Sequence, residues 1–350
     1  MDWLGIYLKL NRHLQNVILN LYGYWIFKER YNNHFKNHLS FYENSNPNIL
    51  DTKQLREFLK SAKKTKYWDN QFKKYNFNID SKNLKSEMKK LPILTKEEVK
   101  NNYSIILNNF EKDKSKLVST SGTTGSGLKF PIKNDMDRRQ WAIWWRYRKW
   151  HGIKFGTWCG WFGGRKIMSY KIKKPPYWKM NYPLKQIMFS SHHLNINTVN
   201  YYLDKIIKDE ITWLHGYPSQ LYDFAVLCRK KGISNKKTSI KIISVGAENL
   251  LVYQKQIISD VFNVNVIQHY GLAEGVSNIS ENVNGVLICD LDFAYTEFIP
   301  LNDDNPNICK IVGTNYNNKA FPLIRYDTGD VATIKRLDNR KIEIVSIDGR

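Results

Sequence analysis

A run of hydroxyl-bearing residues and glycines, Ser119–Gly127, offers the clearest chemistry in the sequence. It reads Ser-Thr-Ser-Gly-Thr-Thr-Gly-Ser-Gly and directly follows a short predicted strand, Lys116–Ser119. Glycines permit close approach of the backbone to an anion, and the hydroxyls add hydrogen-bond donors. The run lacks the Gly-Lys-Ser/Thr of a Walker A loop and the spacing of a dinucleotide-binding loop. Alone, it predicts either a phosphate-binding loop or a flexible surface loop.

Three later segments carry groups that suit the rest of a nucleotide. Gly246–Glu248 ends a predicted strand with small residues and leaves room for a flat ring. Tyr270 and Gly271 follow the next strand, with the carboxylate of Glu274 close behind, and Asp330 lies in a turn where it could bind vicinal hydroxyls. Each segment by itself also fits an ordinary strand-end turn or a core tyrosine. Together they suggest a phosphate cradle, a base platform, a metal carboxylate and a ribose ligand.

The segments that must position these residues alternate between helix and strand. Ile240–Val245 and Val264–Ile267 are β-branched runs followed by glycine-containing turns, which is typical of a buried, mainly parallel sheet. Residues 1–112 predict mainly helices, with capping signals at Asp51 and at Thr95–Glu98. Short strands are predicted toward the end of the chain, at Val286–Ile288, Cys309–Val312, Val331–Ile334 and Lys341–Ile347.

Two helical patterns leave alternatives open. Residues 4–27 repeat apolar residues at three- and four-residue steps near basic residues. This predicts one amphipathic helix that packs on its own domain or, as the less favoured alternative, lies on a membrane surface. Residues 135–151 interleave Arg with Trp, as in segments that stack on nucleic-acid bases. We favour an amphipathic helix there, with Trp141, Trp144 and Trp145 buried and the arginines solvated.

Composition narrows the class of protein. The 350 residues include 54 Lys+Arg and 32 Asp+Glu, a net charge of +22, while 42% hydrophobic residues exclude a disordered chain. Coding drift toward Lys and Asn explains the charge in part; a nucleic acid, an anionic membrane or a phosphorylated ligand is the functional alternative. Four scattered cysteines suggest neither a zinc site nor a disulfide framework. With no signal peptide or bilayer-spanning segment, we expect a cytoplasmic protein.

The ordered motifs STSGTTG, GAE, YGLAE, RYDTGD and a terminal DGR resemble the core motifs of the adenylate-forming (AMP-binding) superfamily. The closest resemblance is to its phenylacetate–CoA ligase branch, especially the relatives in capsular polysaccharide biosynthesis. N-terminal segments resemble that branch as well, so the likeness covers nearly the whole chain. It implies an α/β fold: the large N-terminal domain of these ligases, with layered, mainly parallel sheets, helices and a distorted β-barrel.

The resemblance implies a role for each matching residue. The catalytic phosphate loop would include Thr120, Thr123 and Thr124, with Ser121, Gly122 and Gly125 also holding the ATP phosphates. Gly246, Ala247 and Glu248 would border the adenine, Tyr270 would stack on it and Gly271 would permit close contact. Glu274 would be catalytic as the Mg²⁺ ligand, while Asp330 and Arg350 would reach the ribose or phosphate. The acyl-pocket border would comprise His215, Gly216 and Tyr217.

The implied reaction is attack of a small organic carboxylate on ATP, giving an acyl-adenylate that passes its acyl group to CoA or another acceptor. Three departures from the family pattern stand out: no proline follows the phosphate loop, Ala273 replaces a common Thr, and the chain ends at Asp348–Arg350. Residues 1–347 would form the large domain, divided into 1–112, 113–285 and 286–347, with 348–350 as a hinge stub and the small lid domain absent. A non-catalytic or truncated nucleotide-binding remnant and, less favoured, a basic nucleic-acid-binding protein remain as alternatives.

Overall fold

A computed structural model describes residues 3–111, 113, 115–120, 127–233, 238–337 and 342–349. Its α-helices are α1 (Trp3–Lys9), α2 (Arg12–Arg30), α3 (Asn33–Asn44), α4 (Thr52–Ala62), α5 (Lys66–Lys74), α6 (Leu84–Met88), α7 (Lys96–Asn101), α8 (Tyr103–Ile106), α9 (Asn134–Trp150), α10 (Val199–Lys208), α11 (Pro218–Lys230) and α12 (Val252–Phe262). Among the described residues, no helix is both long and apolar enough to cross a bilayer.

The strands begin after the helical N-terminal segment. They are β1 (Ser115–Ser119), β2 (Lys129–Lys133), β3 (Cys159–Phe162), β4 (Trp178–Asn181), β5 (Gln186–Phe189), β6 (Trp213–Gly216), β7 (Ile242–Val245), β8 (Asn265–Gly271), β9 (Asn278–Glu281), β10 (Leu287–Cys289), β11 (Tyr295–Pro300), β12 (Ile308–Thr314), β13 (Tyr326–Arg336) and β14 (Ile342–Asp348). The predicted short strands at the end of the chain are confirmed, with β12 and β13 longer than the β-branched runs that marked them.

The chain divides into two compact units. Unit 1 comprises Met1–Asn32 and His151–His269, and unit 2 comprises Asn33–Trp150 and Tyr270–Arg350. The predicted site residues are distributed over both units. His215–Tyr217 and Gly246–Glu248 belong to unit 1, whereas Thr120, Tyr270, Gly271, Glu274 and Asp330 belong to unit 2.

The strands of unit 1 pair in the order β4-β5-β3-β6-β7-β8. All neighbours are parallel except β4, which runs antiparallel to β5. Pairing aligns Phe162 with Gly216, and Gly216 with Val245, so the carboxyl ends of β3, β6 and β7 lie level. The predicted parallel sheet is confirmed. Level carboxyl ends matter because α/β sheets bind ligands at that edge.

The core of unit 1 explains why its strands are so apolar. Leu214 and Ile243 of the central strands are fully buried and pack with Phe224 of α11 and Ile258 of α12. Because helices cover the sheet, a parallel strand becomes a short continuous apolar run instead of an alternating one.

Unit 2 combines the helices α3–α9 with antiparallel strands. The hairpin β1–β2 forms its own two-stranded sheet, and a second row runs β11-β12-β13-β14-β10-β9. Phe58 of α4 and Trp68 of α5 are buried with Phe321 and Tyr326 in one apolar cluster. Helices α4 and α5 are therefore packed into the core of this unit.

Both predicted capping signals are present. Thr95 Oγ1 accepts from the backbone N–H of Glu98, whose carboxylate accepts in return from the N–H of Thr95 at 2.8 Å, completing a capping box at α7. Asp51 caps α4 by accepting from the backbone of Gln54. The side chain of Gln54 instead donates to Asn317 Oδ1, so this second cap is one-sided.

The prediction of one amphipathic helix over residues 4–27 was wrong in two respects. The helix is interrupted, because Asn11 accepts a hydrogen bond from the N–H of Leu14 and caps a new helix, α2. Its apolar stripe does not pack on its own domain either, since Leu21 and Trp25 are 65% and 58% exposed.

The expectation of solvated arginines on the Arg/Trp helix was wrong for two of them, Arg146 and Arg148. Arg146 of α9 is 1% exposed and pairs with Asp290 and Asp292, each at 2.5 Å. Arg148 is buried over the ring of Trp145, 4.9 Å from its centroid. Neither arginine therefore presents its guanidinium on the surface. Stacking on nucleic-acid bases would need such exposed guanidinium groups.

Candidate functional site

The hairpin β1–β2 holds the two ends of the predicted phosphate loop. Thr120 donates its backbone N–H to the carbonyl oxygen of Leu128 at 3.0 Å, and the N–H of Leu128 returns a bond to Thr120 Oγ1 at 2.9 Å. A Cβ on Gly127 would lie 2.5 Å from the carbonyl oxygen of Thr120, so only glycine fits there. The hydroxyl of Thr120 thus closes the base of the loop, a structural task that the sequence did not indicate.

Six of the predicted site residues lie outside the described residues. They are Ser121, Gly122, Thr123, Thr124, Gly125 and Arg350. Their assignment to phosphate and ribose remains a prediction from the resemblance.

In unit 1, Gly216 and Gly246 stand at the level carboxyl ends of the parallel strands. A Cβ on Gly216 would lie 2.0 Å from the carbonyl oxygen of Phe162, and one on Gly246 would lie 2.7 Å from the ring of His269. The N–H of Gly246 also donates to the carbonyl oxygen of Gly216, at 3.4 Å. The glycines therefore allow the strand ends and the imidazole to approach closely at this edge.

Ala247 and Glu248 follow directly. Ala247 has φ 68°, in the left-handed region that costs a residue with a side chain about 1–3 kcal/mol. Strain of this kind persists where neighbouring structure imposes it, commonly at ligand sites. The carboxylate of Glu248 accepts from the backbone N–H and the hydroxyl of Ser219, the latter at 2.7 Å, and so holds the first turn of α11. This ties the predicted adenine border to the predicted acyl-pocket border, Tyr217.

The acyl-pocket border begins with a pair of imidazoles. The Nδ1 atom of His215 lies 3.1 Å from the carbonyl oxygen of Ser244 and 2.9 Å from Ser244 Oγ, so strand β7 fixes the orientation of the imidazole. The ring of His269 is stacked near that of His215, with centroids 6.1 Å apart. The sequence predicted no role for Ser244 or His269, since their proximity arises from strand register.

Tyr217 completes this border. Its N–H donates to the carbonyl oxygen of Phe162 at 2.9 Å, and Pro218 then starts α11. A Cβ on Gly164 would lie 2.8 Å from the Tyr217 ring, so the phenol lies close over the backbone that follows β3. The strand ends of unit 1 thus bring all three predicted acyl-pocket residues to one edge.

In unit 2, two predicted nucleotide ligands come together across 60 residues of sequence. The hydroxyl of Tyr270 donates to Asp330 Oδ2 at 2.9 Å, and Asp330 is 8% exposed. Burial, together with the charge of Asp330, raises the pKa of Tyr270 well above its usual value, so the phenol stays protonated and remains a donor. The ring packs at the edge of an apolar cluster that includes Ile311 and Ala332.

The predicted metal carboxylate lies shortly after that tyrosine. Glu274 is 5% exposed, and its carbonyl oxygen accepts from Asn315 Nδ2 at 2.6 Å, which fixes the backbone. The charge of Glu274 contributes to the raised pKa of Tyr270, so the two side chains are close enough to interact. Ala273, where relatives commonly have Thr, is exposed.

Packing within unit 2 also favours a glycine at position 271, besides the predicted close contact with a nucleotide. A Cβ there would lie 3.0 Å from Asn278 Oδ1 and 3.4 Å from Trp144 Nε1. Those two atoms form a hydrogen bond with each other at 3.0 Å, so a side chain at position 271 would press on that bond.

The donor set around Glu274 fits Mg²⁺ only if a ligand shares the coordination. In the described part of the chain, no cluster of three or more His, Cys, Asp or Glu side chains could hold a metal. Mg²⁺ in nucleotide sites is bound by one or two carboxylates, with phosphates and water completing the octahedron. The buried carboxylate of Glu274 suits that arrangement.

Comparison with known proteins gives one relative by sequence and several by structure. No protein-family model matches the chain. Protein CapK of Staphylococcus aureus is 28% identical over 346 residues, which cover 96% of this chain and 75% of CapK.

Two crystal structures of 2-hydroxyisobutyryl-CoA ligase share the fold. One, in the postadenylation state with R3-HIB-AMP, has a TM-score of 0.62 at 14% identity over 85% of this chain. The other, an open conformation with 2-HIB-AMP and CoA, has a TM-score of 0.60 at 15% identity over 85% of this chain. The chain spans 66% and 68% of the length of those two ligase chains.

These similarities confirm the predicted α/β fold of the adenylate-forming ligases. They also support the predicted superfamily and its CapK-like branch, because the sequence relationship to CapK runs through nearly the whole chain.

Proposed function

We propose that this protein uses ATP to activate an organic carboxylate as an acyl-adenylate. The observation that carries the proposal is the hydrogen bond between Tyr270 and Asp330, because it pairs two residues that the family motifs assign to the nucleotide. The order of the motifs, the relationship to CapK and a fold shared with a ligase crystallised with an acyl-AMP support it further.

The proposed first step joins a carboxylate oxygen to the α-phosphorus of ATP and breaks the bond to the β-phosphate, releasing pyrophosphate. In the second step a thiol, CoA or another acceptor, bonds to the acyl carbon and AMP leaves. Both reactants of the first step are anions, so the protein must position them and offset their charge.

The described residues supply parts of that task. Asp330, which accepts a hydrogen bond from Tyr270, would bind the ribose hydroxyls, and the strand end at Gly246 and Ala247 would border the adenine. Glu274 would hold Mg²⁺, which offsets phosphate charge when bound. Tyr217 and His215 would border the acyl group. The large domain would span residues 1–347, with the hinge beginning at Asp348.

The setting of the reaction is part of the proposal. All four cysteines are free thiols, and ATP is an intracellular substrate, so we place the reaction in the cytoplasm. The relationship to CapK makes surface polysaccharide assembly a candidate destination for the acyl group.

Carboxylate-dependent exchange of pyrophosphate into ATP tests the proposal. We expect exchange with at least one member of a panel of short organic acids, and its loss in Glu274→Gln. The matched control is Glu97→Gln, an exposed carboxylate on α7 that should leave exchange unchanged. ATP binding without exchange for any acid would contradict the proposal and indicate a nucleotide-binding remnant.

A further inference from the structure

Helix α2 turns its apolar side toward solvent. Five side chains at three- and four-residue steps are between 42 and 65% exposed: Leu14, Val17, Ile18, Leu21 and Trp25. We call these five residues the apolar face. Tyr22 lies beside them and stacks on Trp25, with ring centroids 5.8 Å apart.

The opposite side of α2 is held to the rest of unit 1 by polar side chains. Gln15 is 3% exposed and donates to the carbonyl oxygens of Tyr7 and Leu10, at 3.1 and 3.0 Å. Asn20 donates to the carbonyl oxygen of Met180 and accepts from the N–H of Tyr182. These bonds fix the rotation of the helix about its axis. The apolar face therefore points outward because polar groups hold the other side in place.

A close approach confirms that rotation. Gly23 lies against Asn181 at the end of β4, and a Cβ at position 23 would come within 2.3 Å of Asn181 Oδ1. Turning the apolar face inward would break the bonds of Gln15 and Asn20 and remove the glycine from the one side that needs it.

A strongly basic segment borders this helix. Residues 165–174 contain five cations and no acid. The hydroxyl of Tyr7 donates to the carbonyl oxygen of Ile167 at 3.4 Å, and Leu19 of α2 packs against Ile167 and Met168. Arg12 donates to the carbonyl oxygen of Pro176, just beyond the segment, at 2.8 Å. Exposed apolar side chains and a cluster of positive charge thus lie on adjoining parts of unit 1.

We propose that the apolar face and the basic segment together bind the surface of a bilayer that contains anionic phospholipid. Apolar side chains would enter the boundary between headgroups and acyl chains, with Trp25 at the depth that tryptophan prefers. The cations of residues 165–174 would interact with the lipid phosphates. A second copy of the chain fits less well, because a symmetric contact through this face would bring two such basic segments toward each other.

Vesicle flotation tests the apolar face. We expect the protein to float with vesicles of phosphatidylcholine containing 30% phosphatidylglycerol, and much less with phosphatidylcholine alone. Leu21→Glu with Trp25→Glu should weaken binding about tenfold or more, since two buried apolar side chains are replaced by anions. The matched control is Val252→Glu with Tyr253→Glu on α12, two exposed apolar positions outside the face, and it should bind as the wild type does.

Charge reversal tests the basic segment. Lys171→Glu, Lys173→Glu and Lys174→Glu together should weaken binding at least about 100-fold, because each cation near an anionic surface contributes about 1 kcal/mol. Arg229→Glu, Lys230→Glu and Lys231→Glu make the same charge change at the end of α11 and should have a small effect.

Three results would overturn the proposal. The first is absence of flotation with anionic vesicles, and the second is an equal loss of lipid binding in the two triple variants. The third is a wild-type dimer in sedimentation that becomes monomeric with Leu21→Glu and Trp25→Glu, while lipid binding is undetectable. The last result would identify a second copy as the occupant of the face.

Discussion

The hydroxyl of Tyr270 links a strand end to the ribose-binding candidate Asp330. With its pKa raised by burial, the phenol donates at any physiological pH and holds one carboxylate oxygen in place. The pair therefore fixes a side chain that would otherwise have several rotamers. Such prior ordering lowers the entropy that a ligand loses on binding.

Tyr270→Phe should weaken ATP binding about fivefold to tenfold, because a net hydrogen bond contributes about 1 kcal/mol and Asp330 loses its orientation. Isothermal titration calorimetry measures the affinity. Tyr316→Phe is the control, since it removes another buried hydroxyl of unit 2, one that donates to the carbonyl oxygen of Leu291. Both variants should lose stability, and only Tyr270→Phe should lose affinity. Equal affinities would show that the hydroxyl is only structural.

Ala247 illustrates strain at the residue scale. Its left-handed backbone follows Gly246 at the strand end, and glycine would adopt this conformation at lower cost. An alanine here keeps a methyl group at the edge that we assign to the adenine. In the proposed site this methyl group would give the base a small apolar surface to pack against, at a position where backbone strain is common.

At the scale of elements, α9 is held in unit 2 by charge. Arg146 reaches Asp290 and Asp292, and Asp290 accepts further bonds from Asn278 and Ser280. The guanidinium of Arg146 also lies over the ring of Trp150, 5.0 Å from its centroid. A buried network of this kind is satisfied only when every member is present.

Arg146→Met should lower the free energy of unfolding by about 3–5 kcal/mol at pH 7, because two buried carboxylates lose their cation. Burial already raises the pKa of Asp290, and removing the arginine should raise it further. Protonation then relieves the penalty, so the difference between variant and wild type should shrink as the pH falls from 7 toward the ordinary carboxyl pKa of about 3.9. Urea unfolding at several pH values measures it. A difference independent of pH would contradict this account.

The contact of α2 with β4 contains a buried ammonium. Lys179 is 2% exposed and donates to Asn16 Oδ1 at 3.0 Å. Burial, with a smaller contribution from the charge of Arg12, lowers the pKa of Lys179 to about 8. The unfolded chain keeps that proton up to about pH 10.4. Between about pH 8 and 10 the unfolded state therefore binds more protons, and this lysine makes stability rise with pH.

Lys179→Met should raise the free energy of unfolding at pH 7, where the wild type carries a buried charge, and remove that part of the slope between about pH 8 and 10. Urea unfolding at pH 7 and pH 9.5 measures both effects. Lys208→Met, at an exposed position on α10, is the control and should follow the wild type at both values. A constant offset between Lys179→Met and wild type would refute the assignment.

At the scale of the whole molecule, nucleotide binding should be visible as stability. A ligand at 100 times its dissociation constant adds about 2.7 kcal/mol, which raises the unfolding midpoint of a chain this long by about 4 °C. We expect this shift with ATP and Mg²⁺, and a smaller one after EDTA. Glu274→Gln should abolish the difference between the two conditions in a thermal melt. An equal shift of the unfolding midpoint with Mg²⁺ and after EDTA would argue against Glu274 as a metal ligand.

The parts of the fold that could be predicted are those encoded locally. Thr95 and Glu98 stand three residues apart, so their reciprocal bonds follow from sequence alone. The strand runs ending at Val245 and Ile267 are likewise continuous apolar segments. Strand β7 lies within the first of these runs, and β8 begins one residue into the second and continues to Gly271.

The parts that could not be predicted depend on partners far along the chain. The arginines of α9 were expected in solvent because Asp290 and Asp292 follow Arg146 by more than 140 residues. The outward rotation of α2 depends on bonds between Asn20 and the backbone of Met180 and Tyr182, some 160 residues away. In the candidate site, the residue types suggested ligands, while the proximity of His215 to His269 follows from register between parallel strands.

The stem at Thr120 and Leu128 has a consequence for how this protein can vary. Two hydrogen bonds between Thr120 and Leu128, one from backbone to backbone and one to the Thr120 hydroxyl, join the two ends of the Gly/Ser/Thr run. The entropy of closing a chain segment grows only slowly with its length, by about 0.6 kcal/mol per doubling. Insertions or exchanges within residues 121–126 should therefore change the ATP affinity that the resemblance assigns to this segment far more than the free energy of unfolding.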